Sequence, residues 1–74
     1  MLTRTVYLDG AKLRRLRILR GFTVRRLAEE AGISTSTITV LERRKRNDRF
    51  HPPTLVKLAD ALGVDSTELV GEEE

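Results

Sequence analysis

Four consecutive hydroxyl side chains, Ser34, Thr35, Ser36 and Thr37, stand about two helical turns before an unbroken cationic run, Arg43-Arg44-Lys45-Arg46. A hydroxyl becomes a nucleophile only beside a general base, and none neighbours these four. The single histidine, His51, sits in a loop between Phe50 and the prolines Pro52 and Pro53. Glu29 and Glu30 are adjacent, so on a helix they do not converge on one reacting atom. There is no cysteine, and nothing has the spacing of a metal site. No catalytic residue, metal, cofactor or small-molecule ligand is therefore expected. The chemistry this set supports is binding: cations that neutralise phosphates and release counterions, and short hydroxyls that reach phosphates or base edges.

The elements around these residues must hold them in place. Val24, Leu27, Ala28 and Ala31 recur at helical spacing, and Gly32 can end that helix in the left-handed conformation without a Cβ clash. Ser34 starts a second helix, with Ile38 and Leu41 inward. Thr23 and Ser34 have N-cap chemistry, and Phe22/Leu27 and Ile33/Ile38 stand at the staple positions. Two short helices joined by a glycine turn, with cations at the end of the second, suit a DNA groove.

The flanking sequence predicts three further helices. Asp9 caps a first helix to about Arg20, with Leu13, Leu16 and either Leu19 or Arg20 on its inner face and Gly21 as its stop. Asn47 to Pro53 reads as a loop. Pro53 begins a fourth helix whose stripe is Leu55, Leu58, Ala59 and Leu62, closed by Gly63. Asp65 with Glu68 makes a capping-box start for a last short helix through Val70. Thr5 to Leu8 alternates and reads as extended, at most an edge strand. The expectation is an all-α, compact five-helix domain with its helix–turn–helix at helices 2 and 3. Residues 1–8 are an extended arm, 9–71 the domain, and 72–74 an acidic tail.

Charge divides along the chain. Residues 1–50 carry 13 Lys/Arg and 5 Asp/Glu, a net +8; residues 51–74 carry Lys57 against 6 acids, a net −5, which together make the overall +3. The basic part is suited to phosphates, and the acidic end keeps that surface oriented. Arg14, Arg15 and Arg26 read as solvated helix-face residues. Arg43, Arg44, Lys45 and Arg46 read as phosphate contacts because they follow the second helix of the pair directly. With only Tyr7, Phe22 and Phe50 as aromatics, a stacking platform for single strands or RNA is not indicated. No apolar run reaches membrane-spanning length and the first ten residues lack a secretory core, so the expected site of action is the cytoplasm, on the nucleoid.

Leu16-Arg17, Gly21-Phe22-Thr23, Leu27-Ala28, Gly32-Ile33-Ser34, Thr37-Ile38, Leu41-Glu42 and Leu58-Ala59-Asp60-Ala61-Leu62-Gly63-Val64, in this order and spacing, resemble the lambda-repressor/Cro (Xre-type) helix–turn–helix family over residues 9–70. The resemblance implies a sequence-specific transcriptional regulator, often a repressor, acting as a dimer on double-stranded DNA. It implies that Thr35, Ser36, Thr39 and Val40 project from the helix 34–44 toward base edges. Residues 36, 39, 40 and 43 do share a face opposite Ile38 and Leu41. Val40, apolar on that face, is suited to a thymine methyl. Backbone clamps are expected from Thr23 and Ser34 at the two helix starts, joined by Thr37 and Arg43. Arg46 or Arg49 on the following loop is a candidate for a minor groove or a phosphate. The resemblance also implies a buried ion pair between Arg17 and Glu42.

Three positions depart from the family pattern. Val24 stands where many relatives have a glutamine that touches the backbone. Arg44 replaces a usual glycine, and the loop 47–52 is longer. The alternative function is a protein-interaction module, such as an antitoxin or a partner-dependent regulator. In either case a homodimer surface is expected in residues 65–70, with Leu69 and Val70 available.

Overall fold

The computed structural model describes residues 5–73; Met1 to Arg4 and Glu74, which belong to the predicted arm and acidic tail, lie outside the described residues. The order is β1 (Thr5–Asp9), α1 (Gly10–Leu19), α2 (Val24–Ala31), α3 (Thr35–Arg43), β2 (Arg46–Asn47), α4 (Pro52–Leu62), a 3₁₀ turn (Ser66–Leu69) and β3 (Val70–Glu73). The fold is thus four helices and a small antiparallel sheet, not the all-α five-helix bundle expected from periodicity.

The sheet runs β2-β1-β3, with Leu8 opposite both Asn47 and Val70, and Tyr7 opposite Gly71. Strand β1 therefore lies at the centre, not at an edge. Its formation explains why the predicted fifth helix stops after one turn. Asp65 and Glu68 do form the capping box, but Val70 is already extended and its strand pairs with β1. The Asp65 carboxylate accepts from the Thr67 backbone N–H and the Thr67 hydroxyl, which holds its pKa below the ordinary 3.8. Gly71 admits the pairing because a Cβ there would enter the Tyr7 ring. Glu72 and Glu73, expected in a tail, complete β3.

The core lies between the helices and the inner face of β1. Leu8, Leu13, Leu27, Ile38, Leu58, Leu62 and Leu69 are fully buried, and each such side chain stabilises by about 2 kcal/mol relative to exposure. Leu69 was expected to be free for a dimer contact; it is instead a core residue, because the 3₁₀ turn packs on α4 and α1. Leu19, a candidate for the inner face of α1, is 71% exposed, since α1 ends there and Gly21 turns the chain toward α2.

The turns use the predicted punctuation. Asp9 caps α1 by accepting from the Ala11 and Lys12 N–H groups, and Thr23 and Ser34 cap α2 and α3. Gly32 has φ +71, and its N–H returns to the Ala28 carbonyl. α4 begins at Pro52, one residue before the predicted Pro53; both prolines fit a first turn, where no N–H is needed.

Candidate nucleic-acid interface

Helix α3 has one buried and one exposed face. Ile38 and Leu41 are buried, while Thr35, Ser36, Thr37, Thr39 and Val40 are exposed, Val40 to 48%. Its first turn is held by Ser34, whose Oγ accepts from the Thr37 N–H at 3.1 Å and lies 2.8 Å from Thr37 Oγ1. The cap satisfies one of the free N–H groups and leaves earlier ones facing outward, a favourable place for an anion. Ser36, Thr37 and Val40 line one shallow hollow with Leu41. Thr39 and Arg43 line a second, with Val24 from α2 and Arg14, Arg17 and Glu42.

The placement of this helix depends on an ion pair. Arg17 Nε donates to Glu42 Oε2 at 2.7 Å and Nη2 donates to Oε1 at 3.0 Å, a two-pronged contact between α1 and α3. The third guanidinium nitrogen, Nη1, donates to the Phe22 carbonyl in the turn before α2, at 2.8 Å. One side chain thus joins the starts and ends of three elements, and both partners are largely buried. Such fork geometry is specific to arginine with a carboxylate.

The cationic run does not continue the helix. Arg43 is the last residue of α3, and Arg44 is extended at φ −107, ψ 131, as befits a position where glycine is absent. Lys45 is exposed, and its carbonyl receives the Gly10 N–H at 2.9 Å. Arg46 lies on β2, where Nε donates to Asp48 at 2.7 Å and the guanidinium sits 4.8 Å from the centre of the Tyr7 ring. Arg49 is exposed on the loop beyond. Arg43, Arg44 and Lys45 are therefore grouped at the end of α3, whereas Arg46 is tied to the sheet.

Two residues that sequence reasoning passed over fix this end. Asn47, read as a loop residue, is buried; its Nδ2 donates to the carbonyls of Leu8, Leu41 and Arg44 at 2.9 to 3.1 Å. Gly10 lies so close that a Cβ would collide with the Arg44 and Leu41 carbonyl oxygens. A glycine opening a helix, where almost any other residue propagates it better, was the available signal for such an approach. Asn47 gave none, because an asparagine after a basic run is normally a turn residue.

Among the described residues no group of His, Cys, Asp and Glu could hold a metal ion, and His51 is an exposed helix-start residue without a side-chain capping bond. No described helix is long and apolar enough to cross a membrane.

Residues 10–70 match the family described as a helix-turn-helix domain. The restriction-modification controller protein C.AhdI from Aeromonas hydrophila is 35% identical, with a TM-score of 0.73 over 81% of this chain and 88% of that one. SinR, a master regulator for biofilm formation solved in complex with DNA, is 27% identical, with a TM-score of 0.75 over 81% of this chain and 94% of its own. HEPD of Streptomyces albus, solved with 2-hydroxyethylphosphonate and Fe(II), is 33% identical over 99% of this chain with a TM-score of 0.74, but the likeness takes in only 18% of that protein. No curated protein matches.

Proposed function

This chain belongs to the lambda-repressor/Cro-like (Xre-type) helix–turn–helix family of DNA-binding regulators, and we propose that it represses transcription by inserting α3 into the major groove of a specific double-stranded site. The observation that carries this reading is the exposed face of α3, where Thr35, Ser36, Thr39 and Val40 stand opposite the buried Ile38 and Leu41. These four are assigned to base edges. They are too short for the forked contacts of Arg, Asn or Gln, so the helix must approach the groove floor closely, with Val40 on a thymine methyl. Thr23, Ser34 and Thr37 are assigned to phosphates through the helix starts. Arg43, Arg44, Lys45 and Arg49 are assigned to phosphates as exposed cations. Arg46, exposed on β2, is assigned to the same backbone.

The site of action is the cytoplasm, on the nucleoid, and the acting species a homodimer. With Leu69 buried, the surface that residues 65–70 offer a second copy is Asp65, Thr67, Glu68 and parts of Ser66 and Val70. Such a surface repels its like at low salt, so the dimer should strengthen as salt rises. Sedimentation equilibrium with and without DNA checks this; a monomer at tens of micromolar in both cases excludes it.

The reading as a partner-binding module has one observation in its favour: Ile18 and Leu19 are 54% and 71% exposed side by side on α1. Mobility shifts on the duplex beside the chain's own gene, at about 50 and 200 mM salt, separate the two. Sequence-preferring binding below micromolar protein supports the repressor. No shift, or a shift without preference, supports the partner-binding module.

A further inference from the structure

The hollow between α1, α2 and α3 brings Arg14 of α1, which the helix–turn–helix reading does not use, beside Thr39 and Arg43, which it does. The hollow is lined by Thr39, Glu42 and Arg43 of α3, Val24 at the first position of α2, and Arg14 and Arg17 of α1, and it is a depression of about 370 Å³ open to solvent. Within it, Arg17 and Glu42 cancel one another's charge, and Arg17 spends its remaining donor on the Phe22 carbonyl. Arg14 and Arg43 have no hydrogen bond or ion pair among the described residues. The hollow thus carries two uncompensated guanidiniums, and the adjoining groove adds Arg15 and Lys45. Val24 supplies no polar group. Thr23, just outside, accepts the Arg26 N–H and leaves the earlier N–H groups of α2 unbonded by a cap. Like charges converging on one open hollow repel while it is empty and are relieved by an anion.

We propose that Arg14 and Arg43 together clamp one phosphate of the DNA backbone in this hollow, so that α1, as well as the helix–turn–helix, anchors the duplex. The inference rests on the DNA-binding reading above. It assigns a contact to Arg14, which by sequence alone is a solvated helix-face residue. The clamp lies beside Thr39, so it fixes how deep that side of α3 sits in the groove. A phosphate contact is indifferent to sequence. Loss of Arg14 therefore weakens specific and non-specific binding alike, without changing the preferred site.

The test is fluorescence anisotropy of the full chain on two labelled duplexes, one selected for tight binding and one scrambled, across about 50 to 200 mM salt. Each neutralised phosphate contributes about 0.9 to the slope of log affinity against log salt. Arg14→Gln should lower that slope on both duplexes by part of that ~0.9, because Arg43 still faces the same phosphate. Arg14→Lys, which keeps the charge, should keep most of the slope. Arg14→Gln with Arg43→Gln should lower it further, by about 0.9 in total and not by twice that, because the two share one phosphate. Circular dichroism on each variant confirms an unchanged fold. An unchanged slope in Arg14→Gln, or a double variant whose slope falls by about 1.8, the value for two separate phosphates, overturns the clamp. Wild-type binding without sequence preference overturns the repressor reading while the slopes still decide the clamp; no binding of either duplex at the lowest salt overturns both.

Discussion

At the starts of α2 and α3 and in the turn between them the stabilising polar contacts come from nearby in the chain, whereas the sheet is closed by partners far apart. Thr23 bonds Arg26, Ser34 bonds Thr37, and Gly32 returns to Ala28. At the sheet, Asn47 reaches Leu8 across 39 residues and Lys12 Nζ reaches the Val70 carbonyl across 58. The reading face is therefore built from local capping, but the angle at which it is presented is set elsewhere. Gly10, Asn47 and the Arg17–Glu42 pair hold the far end of α3 against α1 and β1.

That contrast can be broken from its non-local side first. Gly10→Ala should lower the unfolding free energy by about 3 kcal/mol, since the new methyl meets backbone oxygens that only a shift of α3 can relieve. Urea unfolding measures it, and a loss under about 0.5 kcal/mol would mean that the end of α3 is not pinned there. Next come Arg17→Met and Glu42→Gln, each expected to cost about 2 kcal/mol because the partner left behind is largely buried. The double variant should cost clearly less than the sum, and additive small losses would show that the two groups do not depend on one another.

The local side should respond more weakly. Ser34→Ala removes one capping bond and should cost about 1 kcal/mol, leaving the sheet's amide exchange protection unchanged. A larger loss, or melting of the sheet with it, would erase the distinction between the regions. The smallest effect concerns Asp65, whose pKa is depressed chiefly by the Thr67 backbone N–H and then by the Thr67 hydroxyl. A depressed folded value means that its stabilisation is present above the ordinary 3.8 and fades as pH falls through the folded value. The melting-temperature advantage of the wild type over Asp65→Ala should accordingly be visible near about pH 6 and shrink as the pH falls below 3.8.

The same division separates what could be read in the chain from what could not. Every cap that a sequence pattern signals, Asp9, Thr23, Ser34 and Asp65, is in place, because a cap is a contact between residues two or three apart. The ends of α1 and α4 and the inner faces of α2, α3 and α4 follow from glycine positions and helical period. The sheet was not legible. Thr5 to Leu8 alternates over too few residues to name its partners, and Val70-Gly71-Glu72 carries no strand signal of its own. Tyr7 over Gly71 is a match that appears only when the two segments meet. For the interface, the exposed face of α3 followed from period, while the separation of Arg46 from its cationic neighbours depended on the unforeseen pairing of β2 with β1.

The central claim is that the exposed face of α3 reads base sequence. Selection of bound duplexes from a random library, run in parallel for the wild type and Val40→Ala, tests it most directly. The wild type should yield one recurring motif containing a strongly preferred thymine. Val40→Ala should yield the same motif with that preference lost, and replacing the thymine by uracil, which lacks the methyl, should weaken the wild type but not the variant. A motif unchanged by Val40→Ala, or no motif at all, would contradict the account.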